Sequence, residues 1–411
     1  MNNYLRVDEV VESISKTHSF KKDKLKFLNT SDVYAGKIVS INVLPVSDLK
    51  GQAKKTIKQH DILFSEIRPK NKRYAYVDVE DTEDFVVSTK LMVLRKFNPD
   101  VDNRYLYYFL TNDEMLSALQ ARAENRICSF PQITFDLLSD YKIRVPALSE
   151  QEKIATILTT LDAKIDCNNR INAELEAMAK TLYDYWFVQF DFPDANGKPY
   201  KSSGSKMVYN ATLKREIPEG WSDSSVLAVA DLLGGGTPTK KKPEYWSGDI
   251  PFFTPTDADG TIFKFSTADY ITDEGLKGSS TKLFGKHTVF ITARGSVGRL
   301  VLAGVDMAMN QSCYALRAKS GISHTYLFFL AKELIHHLQV KSSGSVFDSI
   351  VSNDIELTNL AIPKIDAVEK FAAAVEPAFE KIANNTKENQ HLIQFRDWLL
   401  PLLMNGQVTV A

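Results

Sequence analysis

The chain has 411 residues, of which 44% are hydrophobic and 25% are charged, an ordinary composition for a globular protein of roughly two to four domains. Its 50 Lys and Arg balance 51 Asp and Glu, so the formal net charge of −1 does not by itself indicate a nucleic-acid binder. Three widely separated cysteines argue against a disulfide framework and a structural zinc site, and no apolar stretch approaches the length of a membrane span. These features predict a cytoplasmic protein that has no membrane partner.

The first half begins with a mixture of predicted strands and helices. Its apolar pattern predicts a strand at Met92–Leu94 and one helix over Asn103–Ala121. A long helix follows, in which apolar residues recur at alternating spacings of three and four, as in a coiled coil. These seam residues are Ile154, Leu158, Leu161, Ile165, Leu175, Met178, Leu182 and Tyr185. Ser149, with Glu152 three residues later, predicts a capping box at the start of this helix.

The second half follows the same order of elements. The segments Phe192–Pro199 and Ser202–Ser205 are rich in helix and strand breakers, which predicts a loop or linker. A strand at Thr288–Thr292 and a helix at Thr325–Val340 are predicted next, and a second long helix ends the chain. Its seam residues are Phe371, Val375, Ala378, Ile382, Leu392, Phe395 and Leu399.

The two halves also match in sequence, which indicates an internal duplication. Pro146 aligns with Pro363, a shift of 217 residues that continues without a gap along both long helices. Upstream, with small gaps, His60–Arg68 aligns with Lys286–Arg294, so that Arg68 matches Arg294. Other matched segments are Val93–Arg95 with Ala315–Arg317, Tyr105–Tyr108 with Tyr326–Phe329, and Asn29–Asp32 with Thr254–Asp257. Short matches arise by chance between α/β segments, but their preserved order favours duplication.

Two asparagines interrupt each seam at equivalent places: Asn168 and Asn172 in the first helix, Asn385 and Asn389 in the second. A buried Asn costs stability but selects a register, because its amide needs a partner. Antiparallel packing places Asn168 beside Asn389 and Asn172 beside Asn385. The apolar pairs that then meet are Ile165 with Leu392, Leu175 with Ile382, Leu158 with Leu399 and Leu182 with Val375.

A parallel pair of helices would also match Asn with Asn, so the antiparallel interpretation depends on the geometry of two repeats joined by a folded block. A helix of about 40 residues forms a rod of roughly 60 Å. We expect such a rod to hold two like domains at a fixed distance.

An ordered set of segments spans essentially the whole chain and carries a family resemblance. The segments are Leu148–Ala155, Leu161–Ile165, Trp186–Pro193, Asn196–Tyr200, Ile217–Trp221, Gly235–Pro238, Tyr245–Gly248, Asn310–Gln311 and Arg396–Leu403. Together they resemble the DNA-specificity (S) subunits of Type I restriction–modification systems. No single motif is decisive, but the ordered set is specific.

The resemblance implies an α/β (α+β) fold in which two similar mixed target-recognition domains are separated by two long helices. These helices would form an antiparallel coiled coil with pseudo-twofold symmetry. The expected boundaries are 1–148 for the first recognition domain, 149–190 for the central helix, 191–220 for the linker into the second half, 221–363 for the second recognition domain and 364–411 for the C-terminal helix.

The resemblance also implies partners and a function. Each recognition domain would bind one half of a split, asymmetric sequence in double-stranded DNA, and the helices would set the unread gap. The helical regions would dock two methyltransferase (modification) subunits, which restriction subunits with a motor and a nuclease then join. S subunits carry no catalysis of their own, so S-adenosylmethionine, ATP and magnesium would belong to those partners.

The absence of enzyme motifs agrees with a chain that is not an enzyme and holds no metal. Only Asn98-Pro99-Asp100 approximates the loop that holds the target amine in amino-methyltransferases. Gly234–Gly236 lacks the spacing of a dinucleotide-binding turn. The segment Gly278–His287 imitates a phosphate-binding loop, but its spacing is wrong and His287 replaces the Ser or Thr that would hold magnesium.

DNA contact requires Lys and Arg at phosphates and Arg, Asn, Gln, Ser or Thr at base edges. The best candidate in the first block is a basic loop, which follows a strand at a position matched by Arg294; a solvated charged loop is the alternative. Candidates in the first block are Arg68, Lys70, Lys72 and Arg73 of this loop, with Lys54, Lys55, Arg122 and Arg126. Candidates in the second block are Thr237, Thr239, Lys240, Lys241, Lys242, Ser280, Lys282, Arg294 and Ser343.

Three other functions stay open on the sequence alone. The chain is alternatively the specificity subunit of a bipartite restriction enzyme whose other chain fuses a nuclease to a methyltransferase. A coiled-coil adaptor with duplicated protein-binding domains is a second alternative, and a nuclease is a third.

Overall fold

The computed structural model describes residues 3–49, 51, 53–124, 132–341 and 348–410. Its backbone contacts divide the chain into two units. Unit 1 comprises Met1–Ile165 and His391–Ala411, and unit 2 comprises Asp166–Gln390. In the part of the chain that the structure describes, no helix is both long and apolar enough to cross a membrane.

Unit 1 is built on two four-stranded sheets. Its strands are β1 (Asn3–Arg6), β2 (Val11–Ser13), β3 (Lys24–Leu28), β4 (Val33–Tyr34), β5 (Lys37–Ile38), β6 (Asn42–Pro45), β7 (Ala53–Thr56), β8 (Ile62–Ser65), β9 (Tyr74–Tyr76), β10 (Phe85–Ser88), β11 (Leu91–Lys96) and β12 (Lys142–Val145). Its helices are α1 (Asn103–Thr111), α2 (Asp113–Glu124), α3 (Phe135–Ser139) and the first part of the long helix α4 (Leu148–Tyr183). The sheets have the orders β2-β11-β8-β9 and β6-β3-β10-β7. Both faces of β8 are buried, as its apolar sequence requires.

The helix predicted over Asn103–Ala121 is in fact two helices. The chain becomes extended at Asn112, whose φ is −67° and ψ is 154°. The Asn112 carboxamide donates to the carbonyl of Phe109 (2.7 Å) and accepts from the N–H of Met115 (2.7 Å). Asn112 therefore ends α1 and caps α2, a competition between side chain and backbone that helical periodicity does not reveal.

Unit 2 has a five-stranded sheet and a three-stranded sheet. Its strands are β13 (Met207–Asn210), β14 (Arg215–Pro218), β15 (Ser222–Ser224), β16 (Ala230–Gly234), β17 (Trp246–Phe253), β18 (Phe263–Lys264), β19 (Asp269–Ile271), β20 (Val289–Thr292), β21 (Leu300–Ala303), β22 (Ala308–Met309), β23 (Cys313–Ala318) and β24 (Leu360–Ile362). Its helices are α5 (Asp273–Lys277), α6 (His324–Lys341), α7 (Ser352–Glu356) and most of α8 (Ile365–Met404). The sheets have the orders β16-β23-β20-β21-β18 and β19-β17-β22.

The central ladder of unit 1, β2-β11-β8-β9, recurs in unit 2 as β16-β23-β20-β21. All its neighbours are antiparallel in both units. Ile62 pairs with Leu94 in unit 1, and Val289 pairs with Leu316 in unit 2. The units therefore share a topology, and the predicted duplication and mixed α/β fold are confirmed.

This ladder corrects one predicted match by a single residue. Val289 is equivalent to Ile62, which is a shift of 289 − 62 = 227 residues. Arg294 therefore corresponds to Ile67, and each forms an isolated antiparallel bridge, Ile67 with Gln132 and Arg294 with Ser349. The predicted match of Arg68 with Arg294 is wrong. It aligned two identical residues, whereas the strand pairing shows that the two segments are offset by one residue.

A matched 3-10 turn supports the duplication independently of the ladder. In Thr30–Asp32 and in Pro255–Asp257, the third residue is a buried Asp. The Asp32 carboxylate accepts from the N–H of Asn29 (2.8 Å), and the Asp257 carboxylate accepts from the N–H of Thr254 (2.8 Å). The predicted match between these two segments is confirmed.

The breaker-rich stretch after α4 is folded into unit 2. Asp191 accepts hydrogen bonds from the N–H (2.7 Å) and the hydroxyl (2.6 Å) of Ser202. The Phe192 ring stacks on Tyr200 at 4.7 Å and on Trp221 at 5.2 Å between centroids. The breaker-rich segment therefore turns around the cluster formed by the Phe192, Tyr200 and Trp221 rings.

The start of α4 differs from the predicted capping box. The helix begins at Leu148, so Ser149 lies in its first turn, and the carbonyl of Ala147 accepts from the N–H of Gln151 (3.1 Å). The Gln151 side chain is fully buried and donates to the carbonyls of Asp100 (2.9 Å) and Pro146 (2.9 Å). This buried amide anchors the helix start to the sheet layer of unit 1.

The predicted seams are correct except near their ends. Ile154 and Leu158 are buried in the core of unit 1, and Val375 and Ile382 are buried in the core of unit 2. Met178, Tyr185 and Phe395 are exposed instead, at 68%, 38% and 48%. At Asp184–Val188 the helix widens into a π-helical turn, which changes the period and turns Trp186 and Phe187 into the core.

Candidate nucleic-acid interface

The basic loop of unit 1 connects β8 to β9 through a 3-10 turn over Pro69–Asn71. Arg68 and Lys72 flank this turn with positive φ values of 46° and 53°, and the backbone N–H of Lys70 donates to the Gln120 side chain (3.3 Å). Arg68 and Lys70 are exposed. The Lys72 ammonium pairs with Asp113 at 2.7 Å. Arg68 and Lys70 therefore present positive charge on an ordered turn.

Arg73 joins this loop to the Thr30–Asp32 turn. Its guanidinium donates to the carbonyls of Ser31 (3.0 Å) and Val33 (3.4 Å) and lies 5.5 Å from the centroid of the exposed Tyr34 ring. These bonds orient the two loops relative to each other. Arg73 is thus a structural cation at the edge of the candidate surface.

Lys54 and Lys55 have opposite environments although they are adjacent. Lys54 is exposed, whereas Lys55 is buried, and its ammonium donates to the carbonyls of Thr89 (3.2 Å) and Leu91 (2.8 Å). Burial lowers the pKa of the Lys55 ammonium. Because its ammonium is buried and bonded to two carbonyls, Lys55 is not part of the candidate surface, contrary to the prediction.

Arg122 lies near the end of α2. Its guanidinium lies 4.5 Å from the centroid of the Tyr141 ring and donates to the carbonyl of Leu137 (3.4 Å). It remains 45% exposed, with Asp140 at 3.9 Å. Arg126 lies outside the described residues.

Three loops of unit 2 converge around the end of β22. Gly236 donates its N–H to the carbonyl of Met309 (3.1 Å), and the Thr281 hydroxyl donates to the same carbonyl (2.8 Å). A Cβ at Gly235 would lie 2.3 Å from the carbonyl oxygen of Asn310, so only glycine allows this approach. The convergence brings Thr237, Ser280 and Lys282, all exposed, to one surface. We call this the glycine-loop surface.

The lysine run after this loop surrounds two aromatic rings. The ammonium of Lys240 lies 5.7 Å from the centroid of the Trp246 ring, and that of Lys242 lies 4.8 Å from the Tyr245 ring. Lys242 also donates to the Tyr245 hydroxyl (3.0 Å), which raises the pKa of the lysine. Thr239 and Lys241 are exposed in the same run. Lys240, Lys241 and Lys242 are therefore exposed cations in one run, of the residue type that phosphate contact requires.

Arg294 adds a further exposed cation to the glycine-loop surface. Its backbone N–H donates to the carbonyl of Ser312 (3.3 Å), directly after the exposed Gln311. Gln311 was missing from the predicted set, although Asn310-Gln311 carried part of the family resemblance. The signal that identifies it is its place directly after Asn310 and two residues before the strand that begins at the buried Cys313. Ser343 lies outside the described residues.

The four seam asparagines meet as predicted. Asn168 donates to the Asn389 carboxamide (2.9 Å), and Asn385 donates to the Asn172 carboxamide (2.9 Å). Asn172 follows Asn168 in α4, whereas its partner Asn385 precedes Asn389 in α8. The two helices are therefore antiparallel in unit 2. Further bonds join Asn168 to Glu388 (2.8 Å) and Asn389 to Asn169 (2.8 Å).

An ion pair that the sequence did not reveal joins the same two helices in unit 1. The Arg396 guanidinium donates to Asp162 at 2.6 Å, and the Tyr108 hydroxyl donates to the other oxygen of Asp162 at 2.7 Å. Both charged side chains are about a third exposed. The Asp162 carboxylate of α4 therefore binds both Arg396 of α8 and Tyr108 of α1.

Comparisons with known proteins agree with the repeated architecture. The family model described as Type I restriction modification DNA specificity domain matches twice, over residues 2–177 and 218–394. The chain is 28% identical to the Type I restriction enzyme HindI specificity subunit of Haemophilus influenzae, with 97% of this chain and 98% of that protein covered. It is 27% identical to the MjaIX specificity subunit of Methanocaldococcus jannaschii, over 75% of this chain and 70% of that protein.

A solved structure shows the same fold. The Type I restriction–modification S subunit from M. genitalium superposes with a TM-score of 0.51 at 16% identity, covering 98% of this chain and 96% of that one. The two family matches fall on the two repeats defined by the strand ladders.

Proposed function

The chain belongs to the Type I restriction modification DNA specificity family and is a non-catalytic, sequence-specific DNA-binding subunit; from this premise we propose that its two repeats recognise the two halves of a split, asymmetric DNA sequence. The observation that carries the proposal is the shared ladder with different polar loops at the same edge. Because the strand topology is the same, the loops of the two repeats are positioned in the same way. Because their side chains differ, the two repeats would recognise different base pairs.

The long helices supply the proposed gap between the halves. Their seam is fixed in unit 2 by the Asn168–Asn389 and Asn172–Asn385 hydrogen bonds, which admit only one register without unpaired amides. A helix pair with one register has one length. We propose that this length sets the number of unread base pairs.

The partner subunits supply the chemistry in this proposal. We expect two methyltransferase (modification) subunits to dock on the helical regions, and restriction subunits with a motor and a nuclease to join them. S-adenosylmethionine would be bound by the former, and ATP and magnesium by the latter. The specificity chain would direct adenine methylation and ATP-dependent cleavage by selecting the site.

The first experiment measures which sequence the complex methylates. The chain is assembled with its modification subunits and incubated with genomic DNA from a strain that lacks this gene, and methylated adenines are mapped. We expect one bipartite motif with two different halves. Methylation without any bipartite motif, or no preference for any duplex over random DNA at stated salt, contradicts the proposal.

Exchange of segments then assigns each half. Replacing residues 1–146 with those of a relative should change one half of the motif only, and replacing 221–363 should change the other half only. If either exchange alters both halves, the repeats do not act separately.

The helices are tested by matched insertions. Two helical turns, about seven residues, are added within 155–185 and at the facing part of α8, so that the seam is kept. At 1.5 Å per residue this adds about 10 Å, or about three base pairs, to the unread gap while both halves stay unchanged. An unchanged gap would reject the role of the helices.

A further inference from the structure

An equivalent turn precedes the matched strands β11 and β23. In Ser88–Lys90 the side chain of the first residue accepts from the N–H of the third (3.3 Å), and in Asn310–Ser312 it does so at 3.0 Å. The strand pairing that follows is also equivalent, because Leu91 pairs with Ser65 and Cys313 with Thr292. We call these two turns the tip turns. Their central residues are Thr89 in unit 1 and Gln311 in unit 2.

The two tip residues differ in environment. Thr89 is half-buried, and its carbonyl accepts from the buried Lys55 ammonium (3.2 Å). Gln311 is exposed, and its carboxamide oxygen accepts from the Thr237 hydroxyl. Within the described ranges, the Gln311 amide nitrogen has no hydrogen-bond partner. One tip turn is anchored inward, and the other presents an oriented amide to solvent.

The orientation of Gln311 is built by tight packing. Thr237 follows Gly235 and Gly236, where a Cβ would lie 2.3 Å from the carbonyl oxygen of Asn310 and 2.1 Å from the Ser280 hydroxyl, respectively. This packing holds the Thr237 hydroxyl against the tip turn, so that one side of the Gln311 amide is fixed. A fixed amide loses less entropy on binding than a free one.

Three exposed cations lie on the segments that meet near the tip turn of unit 2. The exposed Arg294 donates its backbone N–H to Ser312 (3.3 Å), and Lys240 and Lys282 are exposed on the loops that converge here. Cations hold phosphates and thereby fix a protein on the duplex, whereas base edges are recognised by side chains such as Gln. The glycine-loop surface provides both.

We propose, on the premise of the function above, that Gln311 contacts a base edge in the half-site recognised by unit 2, and that the base is adenine. A Gln carboxamide offers one donor and one acceptor in the spacing of adenine N7 and N6 in the major groove. The second lone pair of the Gln311 oxygen accepts from N6 while Thr237 holds the first. Thr237 is the positioning residue for this contact.

The test measures base preference by mapping methylation of a randomised duplex library. The wild-type chain, Gln311→Ala and the isosteric Gln311→Glu are each assembled with the modification subunits. We expect discrimination at one adenine of one half-site to fall about fivefold to about 150-fold in both variants, with every other position unchanged. A preference that is unchanged at all positions, or that weakens equally for all sequences, overturns the proposal.

Two further variants separate positioning from folding. Thr237→Val keeps the shape but removes the hydroxyl and should weaken the same single position, while Thr237→Ser should restore it. Thr89→Ala, the matched variant in the other tip turn, should leave the unit 2 half-site unchanged. If Thr237→Val and Thr237→Ser weaken the position equally, Thr237 does not act through its hydroxyl and the positioning role is wrong. If the wild-type library yields no bipartite motif, the proposed function fails instead, before any variant is compared.

Discussion

Unit 1 and unit 2 share a strand ladder but use the same arginine differently. Arg95 and Arg317 occupy equivalent positions in β11 and β23. Arg95 binds the buried Asp61 through two hydrogen bonds of 2.8 and 2.7 Å, whereas Arg317 pairs with Asp231 at 3.0 Å on the surface. Thr288 stands where unit 1 has Asp61, so the carboxylate that Arg95 binds has no counterpart at that position in unit 2.

This difference shows what the duplication has conserved. The pairing of the central ladder and the geometry of the matched 3-10 turn are the same in both units, because they depend on backbone groups that every residue carries. Side-chain networks differ, because a single substitution removes a partner.

The largest expected effect concerns the two arginines. Arg95→Met leaves the Asp61 carboxylate, 1% exposed, without its cation, so we expect local stability to fall by about 3 kcal/mol. Arg317→Met removes an exposed pair and should cost less than about 1 kcal/mol. Native-state hydrogen exchange of the backbone amides of β8 and β20 measures the free energy of local unfolding in each variant. Equal costs in the two units would contradict the comparison.

The second prediction concerns adjacent glycines in the glycine loop. Gly235→Ala places a Cβ 2.3 Å from a backbone oxygen, so the loop must move, at about 2 kcal/mol. Gly234→Ala has open space and is the matched control. We expect Gly235→Ala to impair only the unit 2 half of the methylated motif. Loss of the unit 1 half as well would show that the units are not independent.

The third prediction concerns the helix seam. Asn168→Leu leaves the buried Asn389 amide short of a partner and should cost about 1–3 kcal/mol. The double variant Asn168→Leu with Asn389→Leu removes both amides and should recover part of this loss. Thermal unfolding of the four chains of the double-mutant cycle measures the coupling. Additive losses would mean that the two amides do not depend on each other.

The smallest expected effect compares neighbouring lysines. Lys54→Gln should reduce the slope of log affinity against log salt by about one, as for the loss of one phosphate contact. Lys55→Gln should leave that slope unchanged and lower stability instead, because its ammonium bonds two carbonyls inside unit 1. Salt titrations of the complex on its methylation motif distinguish the two. Equal slopes for both variants would reject the assignment of Lys54.

Much of the architecture followed from patterns along the chain. The seam spacing and the equivalent asparagines predicted that the asparagines of the two helices meet, because helical periodicity converts sequence position into direction. That Asn168 meets Asn389 and not Asn385 was predicted from the geometry of two repeats joined by a folded block. The ordered segments identified the family. Alignment by residue identity was less reliable in the strands, where a shift of one residue matched Arg68 instead of Ile67 with Arg294.

What only the tertiary structure decided is which polar groups have partners. Lys54 and Lys55 are adjacent residues of the same type, yet Lys54 is exposed and the Lys55 ammonium is held by two carbonyls that lie 34 and 36 residues later in the chain. Gln311 gained its orientation from Thr237, which lies 74 residues earlier. Local sequence determines periodicity and turns, since these depend on neighbouring residues. The environment of a charge or an amide depends on residues brought together only by folding.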